Sequence, residues 1–168
     1  MKTTQHSRVT ALEQLFNQVA RTRMCGVPVQ NPALRVQALG FASVPDEPEM
    51  LLGVLVTPWF MNLVRLPTRP DFPEESLLAV GQKATRTVGQ QFFEFVGAFE
   101  PDMGAFEVCS LFSPMFEFAN HAAAVDTAND ILHLLRTPVR PTPSTAPPQP
   151  SRRGFLFGRG TQALPPQA

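Results

Sequence analysis

The residues of this chain best equipped for chemistry are few, and their spacing argues against catalysis. Cys25 and Cys109 lie far apart and match neither CxxC nor zinc-ligand spacing, so both read as reduced packing thiols. His6, His121 and His133 are not placed as a metal-binding pair on one helix, and each reads as a surface or helix-terminal side chain. No GxxxxGK(S/T), GxGxxG or GxSxG run is present, so neither a phosphate-cradling loop nor a nucleophile elbow has a basis in the sequence. Glu94 and Glu107 fall where they would face each other across a hairpin. Such a pair does acid–base work only in a cleft that drives the two pKa values apart; on an open sheet face it is two solvated charges. The expectation is a protein that is not an enzyme and uses no metal or cofactor.

Contact chemistry is better represented. Residues 50–66 form an apolar run broken by Thr57, Pro58 and Trp59. Pro58 has no amide hydrogen for a sheet ladder and fixes its own φ, so a strand over 51–56 turns there and leaves along 61–66. The corner holds Trp59, the single tryptophan, beside Phe60. A large aromatic pair at a stiff turn is either packed core or a contact surface. Near the end of the chain, Arg152 and Arg153 are followed by Phe155, Leu156 and Phe157, a compact basic and apolar motif after polar, proline-rich sequence. The candidate partner-binding residues are therefore Thr57, Pro58, Trp59, Phe60, Arg152, Arg153, Phe155, Leu156 and Phe157.

Several elements must hold this corner in place. Thr10 and Glu13 read as a capping box, with Leu12, Leu15, Phe16 and Val19 as the apolar stripe of the helix behind it. Residues 34–41 read as a strand in which Gly40 marks a bulge, and residues 43–49 as the hairpin loop into the apolar run. Residues 74–88 carry a weak helical pattern through Leu77, Leu78 and Val80. Residues 90–99 alternate with both faces largely apolar, which predicts a central strand covered on both sides, hairpin-paired with 105–112. Asn120 caps a last helix with Val125, Ala128, Ile131, Leu132 and Leu135 on its inner face. The fold class predicted is α+β: one domain with an antiparallel sheet of about five strands, its N- and C-terminal helices packed on one face. Residues 1–136 make the domain, 137–150 a proline-rich linker, and 151–168 a flexible basic and aromatic tail.

A chain of 168 residues with 43% hydrophobic content suffices for one core. No apolar stretch approaches the roughly 20 residues that span a bilayer, and no signal-like N-terminus is present, so the expected location is cytoplasmic, without membrane insertion. The formal charge of zero conceals an asymmetry. After Asp130 every charge is positive, and the sequence through Leu135 carries nine basic against fourteen acidic side chains, a net charge near −5. Such a body repels nucleic acid and suits a cationic peptide. Asp46, Glu47 and Glu49, with Asp71, Glu74 and Glu75, are expected to border the binding site.

Taken together, Val56 to Trp59 as Val-Thr-Pro-Trp, Phe95-Val-Gly, Cys109-Ser-Leu-Phe-Ser-Pro and Arg152-Arg-Gly-Phe-Leu-Phe-Gly resemble the HybE-type [NiFe]-hydrogenase assembly chaperones in order and spacing. The resemblance implies a non-catalytic accessory protein that holds immature hydrogenase subunits, the small subunit precursor with its twin-arginine export signal and/or the large subunit, before assembly and export. Under that reading Ser151, Arg152, Arg153, Phe155 and Leu156 match the core of a twin-arginine signal. The tail is then a mimic competing for the chaperone's own peptide groove, a second client contact, or a structural strap. A different class of reading makes the Trp59 corner an aromatic pocket for a small ligand or a catalytic domain.

Overall fold

The computed structural model describes residues 2–137. In chain order the elements are α1 (Lys2–Arg21), β1 (Gln37–Val44), β2 (Glu47–Val56), β3 (Met61–Pro67), a short 3-10 turn (Glu74–Ser76), β4 (Lys83–Val88), β5 (Gln91–Glu100), β6 (Gly104–Phe112) and α2 (His121–Arg136). The six strands form one sheet in the order β1-β2-β3-β6-β5-β4, antiparallel throughout. Two three-stranded meanders thus lie side by side, joined through β3 and β6. The expectations for the linker and tail, including Arg152, Arg153, Phe155, Leu156 and Phe157, lie outside the described residues.

The α+β class holds, with six strands in place of about five. The extra strand, β4, comes from the stretch whose weak apolar pattern suggested a helix. Its side chains alternate between exposed and half-buried up to Val88, and Lys83, Thr85 and Thr87 leave one face polar, so helical periodicity borrowed its signal from Leu77, Leu78 and Val80 upstream.

The helices are not on one face. Along β2, Val54 and Val56 join Ala124, Ala128, Leu132 and Leu135 of α2 in one core, while Leu51 and Leu55 join Leu12 and Phe16 of α1 in another. Alternate residues of a strand point to opposite faces, so the sheet is sandwiched between α1 and α2. This arrangement explains the unbroken apolar run: every residue of β3 is buried, as is most of β2. β2 and β3 are therefore covered on both sides, and β5 only in part. In β5, Phe95 is fully buried on the α2 side, while on the opposite face Ala98 packs on the α1 core and Phe92 is 76% exposed.

Local chemistry also departs from expectation in α1, which begins eight residues before the anticipated capping box. Glu13 does not cap; its Oε2 accepts from the Ala38 backbone N–H at 2.8 Å and pins the helix to β1. At the other end, Asn120 caps α2 as expected, its side chain accepting from the Ala123 N–H at 2.9 Å. Gly40 has φ +59° at a register shift between Leu39 and Ala42, a bulge that bends β1 under Leu132. Gly97 on β5 makes the closest backbone approach. A Cβ there would lie 2.2 Å from the Ala79 carbonyl oxygen and 2.3 Å from that of Leu78, so residues 78–80 run directly across the strand.

Candidate functional site

Thr57 builds the corner between β2 and β3. Its N–H donates to the Phe60 carbonyl at 2.8 Å, and its buried Oγ1 accepts from the Phe60 N–H at 2.9 Å and the Trp59 N–H at 3.3 Å. With Pro58 fixing φ, the turn is held from both ends. The Pro58 carbonyl accepts from the Asn31 N–H at 2.7 Å, and the Asn31 side chain donates to the carbonyls of Met115 and Phe118 at 3.0 and 2.8 Å. The corner is thereby tied to the loop after β6, which also carries Phe116, 58% exposed.

Trp59 and Phe60 are both half-buried. They meet edge to face with ring centroids 5.6 Å apart, and Phe60 meets Phe16 of α1 at the same separation. One ring therefore anchors the corner on the α1 core and both keep an outward surface. Asn62, next along β3, is buried with its Oδ1 unpaired among the described residues.

The acidic loops do not border this corner. Thr68 N–H donates to the Glu49 carbonyl, and Arg69 pairs with both Glu49 (3.1 Å) and Asp71 (3.3 Å), which brings the two loops together at the far end of β2 and β3. At about 3.3 Å per residue, the length of β2 puts them roughly 25 to 30 Å from Trp59. Glu47 there pairs with Arg65.

That pair belongs to a buried ionic cluster that the sequence did not suggest. Glu107, fully buried, accepts from Arg65 Nη1 at 3.0 Å, from Arg86 Nη2, and from the Leu78 N–H at 3.2 Å. Burial lowers the Arg65 guanidinium pKa, and the charges of Glu107 and Glu47 oppose that shift. Glu94 does not face Glu107; it lies opposite Thr85 and pairs with Lys83 at the surface, so Glu107 belongs to neither an acid–base dyad nor a solvated sheet face. The cluster lies beside a cleft of about 640 Å³ walled by Val44, Leu52, Val88, Leu132 and Leu135, with Glu47 and Arg65 as its polar side. A second cleft of about 680 Å³ lies between α1 and β1. Trp59 lines neither cleft.

One single-residue expectation changes, at Cys25, and another gains detail, at His121. Cys25 is exposed, whereas Cys109 is buried, its thiol pKa raised by burial and then by Glu94. His121 is the first residue of α2, as the helix-terminal reading has it, and it is buried. Its Nε2 lies 2.7 Å from Gln37 Oε1 and its Nδ1 accepts from the Arg35 N–H, an arrangement that requires the neutral ring. Burial, followed by the Arg35 charge, lowers its pKa. The unfolded chain then takes up the proton first, so this contribution is complete above about pH 6.5 and is lost as pH falls toward the folded value. The melting temperature is expected to drop between pH 7 and pH 5 more in the native protein than in His121→Asn; parallel curves would remove the assignment. Among the described residues, no cluster of three His, Cys, Asp or Glu side chains forms a metal site, and no helix is long and apolar enough to cross a membrane.

Comparison with known proteins bears on what such a corner serves. The family described as "[NiFe]-hydrogenase assembly, chaperone, HybE" matches residues 7–158. Protein HoxT of Cupriavidus necator is 50% identical over 159 residues, covering 90% of this chain and 89% of its own length. The hydrogenase expression/formation protein HoxT of Azotobacter vinelandii is 38% identical over 141 residues, covering 84% and 85%. The solution structure of HybE from Escherichia coli superposes with a TM-score of 0.59 at 23% identity, over 92% of this chain and 91% of that one, a likeness of fold.

Proposed function

This chain belongs to the HybE family of [NiFe]-hydrogenase assembly chaperones, and from that premise we propose that it acts in the cytoplasm as a non-catalytic chaperone. It binds immature hydrogenase subunits, the small subunit precursor and/or the large subunit, before assembly and export. The family match over residues 7–158 carries this reading, since it spans both the Thr57–Phe60 corner and the Arg152 to Phe157 motif. The half-buried pair Trp59 and Phe60 supports the corner as a contact surface: rigid aromatic area binds at low entropic cost. Arg152, Arg153, Phe155, Leu156 and Phe157 supply a second client contact.

Affinity capture from hydrogenase-expressing cells, with the bound subunits identified by mass spectrometry, tests the reading directly. Phe60→Ala is expected to lose about 2 kcal/mol of binding, some thirtyfold in affinity, beyond whatever it loses in melting temperature. A chain ending at residue 150 is expected to retain less subunit. Recovery of no hydrogenase subunit by the native chain would overturn the function; unchanged capture by both variants would overturn the residues assigned to it.

A further inference from the structure

The two edges of the sheet are finished differently. At β1, side chains from both helices hold backbone groups: Glu13 takes the Ala38 N–H, His121 takes the Arg35 N–H just before the strand, and Arg136 fills the bulge, donating to the carbonyls of Gly40 and, on β2, Leu52. Among the described residues, β4 has no such cover. Its hairpin with β5 turns through Gly89 and Gln90, with Gly89 at φ +61° and Val88 opposite Gln91. A two-residue turn of this kind makes the flanking residues a hydrogen-bonded pair. Val88, Arg86 and Ala84 therefore bond inward to β5, while Lys83, Thr85 and Thr87 direct their N–H and C=O groups away from the sheet. Among the described residues no hydrogen bond reaches those outward groups.

The side chains that ordinarily blunt an edge are turned elsewhere. Lys83 is held 2.8 Å from Glu94 on the neighbouring strand, and Arg86 points inward to Glu107. β4 contains no proline, and its register with β5 has no bulge. Thr87 stands opposite Phe92, which is 76% exposed on the same face as Lys83 and Thr85. The edge thus offers alternating donors and acceptors at strand spacing, small side chains, and one aromatic ring beside them.

We propose that β4 is a strand-addition site, where an extended stretch of an unassembled hydrogenase subunit pairs with the outward groups of Lys83, Thr85 and Thr87 and rests an apolar side chain on Phe92. Only polypeptide backbone presents donors and acceptors in this alternation. Six residues of edge bury too little for a lasting dimer, which needs roughly 1,000 Å² or more. The same short edge suits a client strand that must later be released. This inference rests on the proposed function for the identity of the client.

Short overlapping peptides covering both hydrogenase subunit precursors provide the probe, measured by fluorescence anisotropy against the full chain and two variants. Thr85→Pro removes one outward N–H, and because that group faces away from β5 the fold is retained; Thr85→Val removes the hydroxyl and keeps the backbone. Native protein and Thr85→Val are expected to bind the same apolar-alternating peptides, with Thr85→Pro about tenfold weaker. Should Thr85→Pro fail to fold, N-methylation of alternate peptide residues removes the same hydrogen bonds from the other side, with the same expected loss. Equal affinity for methylated and unmethylated peptides, binding of no peptide, or a native chain found as a dimer that Thr85→Pro dissociates would each overturn the proposal. Capture of whole subunits without peptide binding would sink the strand site alone. Peptide binding with no subunit captured from cells would sink the client assignment instead.

Discussion

Glu107→Gln is expected to destabilise the domain by about 3 to 5 kcal/mol, the range for removing one member of a buried ion pair. The substitution keeps the size of the side chain and removes its charge. Arg65, 4% exposed, would retain only Glu47 as a counter-charge, and Arg86 would have none nearby. The cluster holds no spare acceptor, since Arg86 Nε is already buried without a partner among the described residues. For a domain of this size the loss corresponds to a fall of roughly 10 °C or more in melting temperature. Glu94→Gln is the matched control. Glu94 is an exposed carboxylate paired with an exposed lysine, so its removal is expected to cost less than about 1 kcal/mol. Thermal unfolding followed by circular dichroism at neutral pH separates the two, and equal shifts would show that the Glu107 cluster contributes nothing special.

Gly97→Ala should be nearly as damaging for a different reason. The added methyl would fall within 2.3 Å of two backbone carbonyl oxygens, those of Leu78 and Ala79, and backbone cannot step aside as a flexible side chain does. Residues 78–80 would have to lift from β5. Two connections would go with them: the Gly81 N–H to Gly97 carbonyl bond of 2.9 Å and the Leu78 N–H to Glu107 bond. Overpacking of this kind typically costs about 1 to 3 kcal/mol, and losing the hydrogen bonds adds about 1 kcal/mol each. Gly26→Ala makes the informative comparison. It has φ +75° but open space around a Cβ, so it suffers the conformational penalty alone, about 1 to 2 kcal/mol. Urea unfolding of both variants tests whether steric approach at residue 97 exceeds that penalty.

The fold was readable where side-chain pattern and burial coincide. Pro58 and the apolar runs around it located the β2–β3 corner, Asn120 located the start of α2, and the alternation over 90–112 located the β5–β6 hairpin. The pattern failed where one face of an element is polar by design. β4 shows solvent a row of lysine and threonine, and its strand character comes from pairing with β5, a tertiary effect. Which helix covers which face was not readable either, because a strand buried on both sides has no polar parity to orient it. The ionic cluster was hidden for a related reason. Arg65, Arg86 and Glu107 are far apart in sequence and come together only because β6 crosses between the meanders. The one available hint was Arg65 itself, a lone cation inside an otherwise apolar run.

The pinning of α1 on the β1 edge has a consequence for stoichiometry. A sheet with two open edges can be extended from either side, and each added copy presents a fresh edge to the next, so association propagates into a filament. Here the carboxylate of Glu13 takes the Ala38 N–H and pins α1 along one of the two growth directions. Edge-to-edge pairing between copies is then favoured through β4 on both, which leaves the two β1 strands outermost. Growth by this route would stop at two molecules, and the six-residue length of β4 keeps even that pairing short-lived.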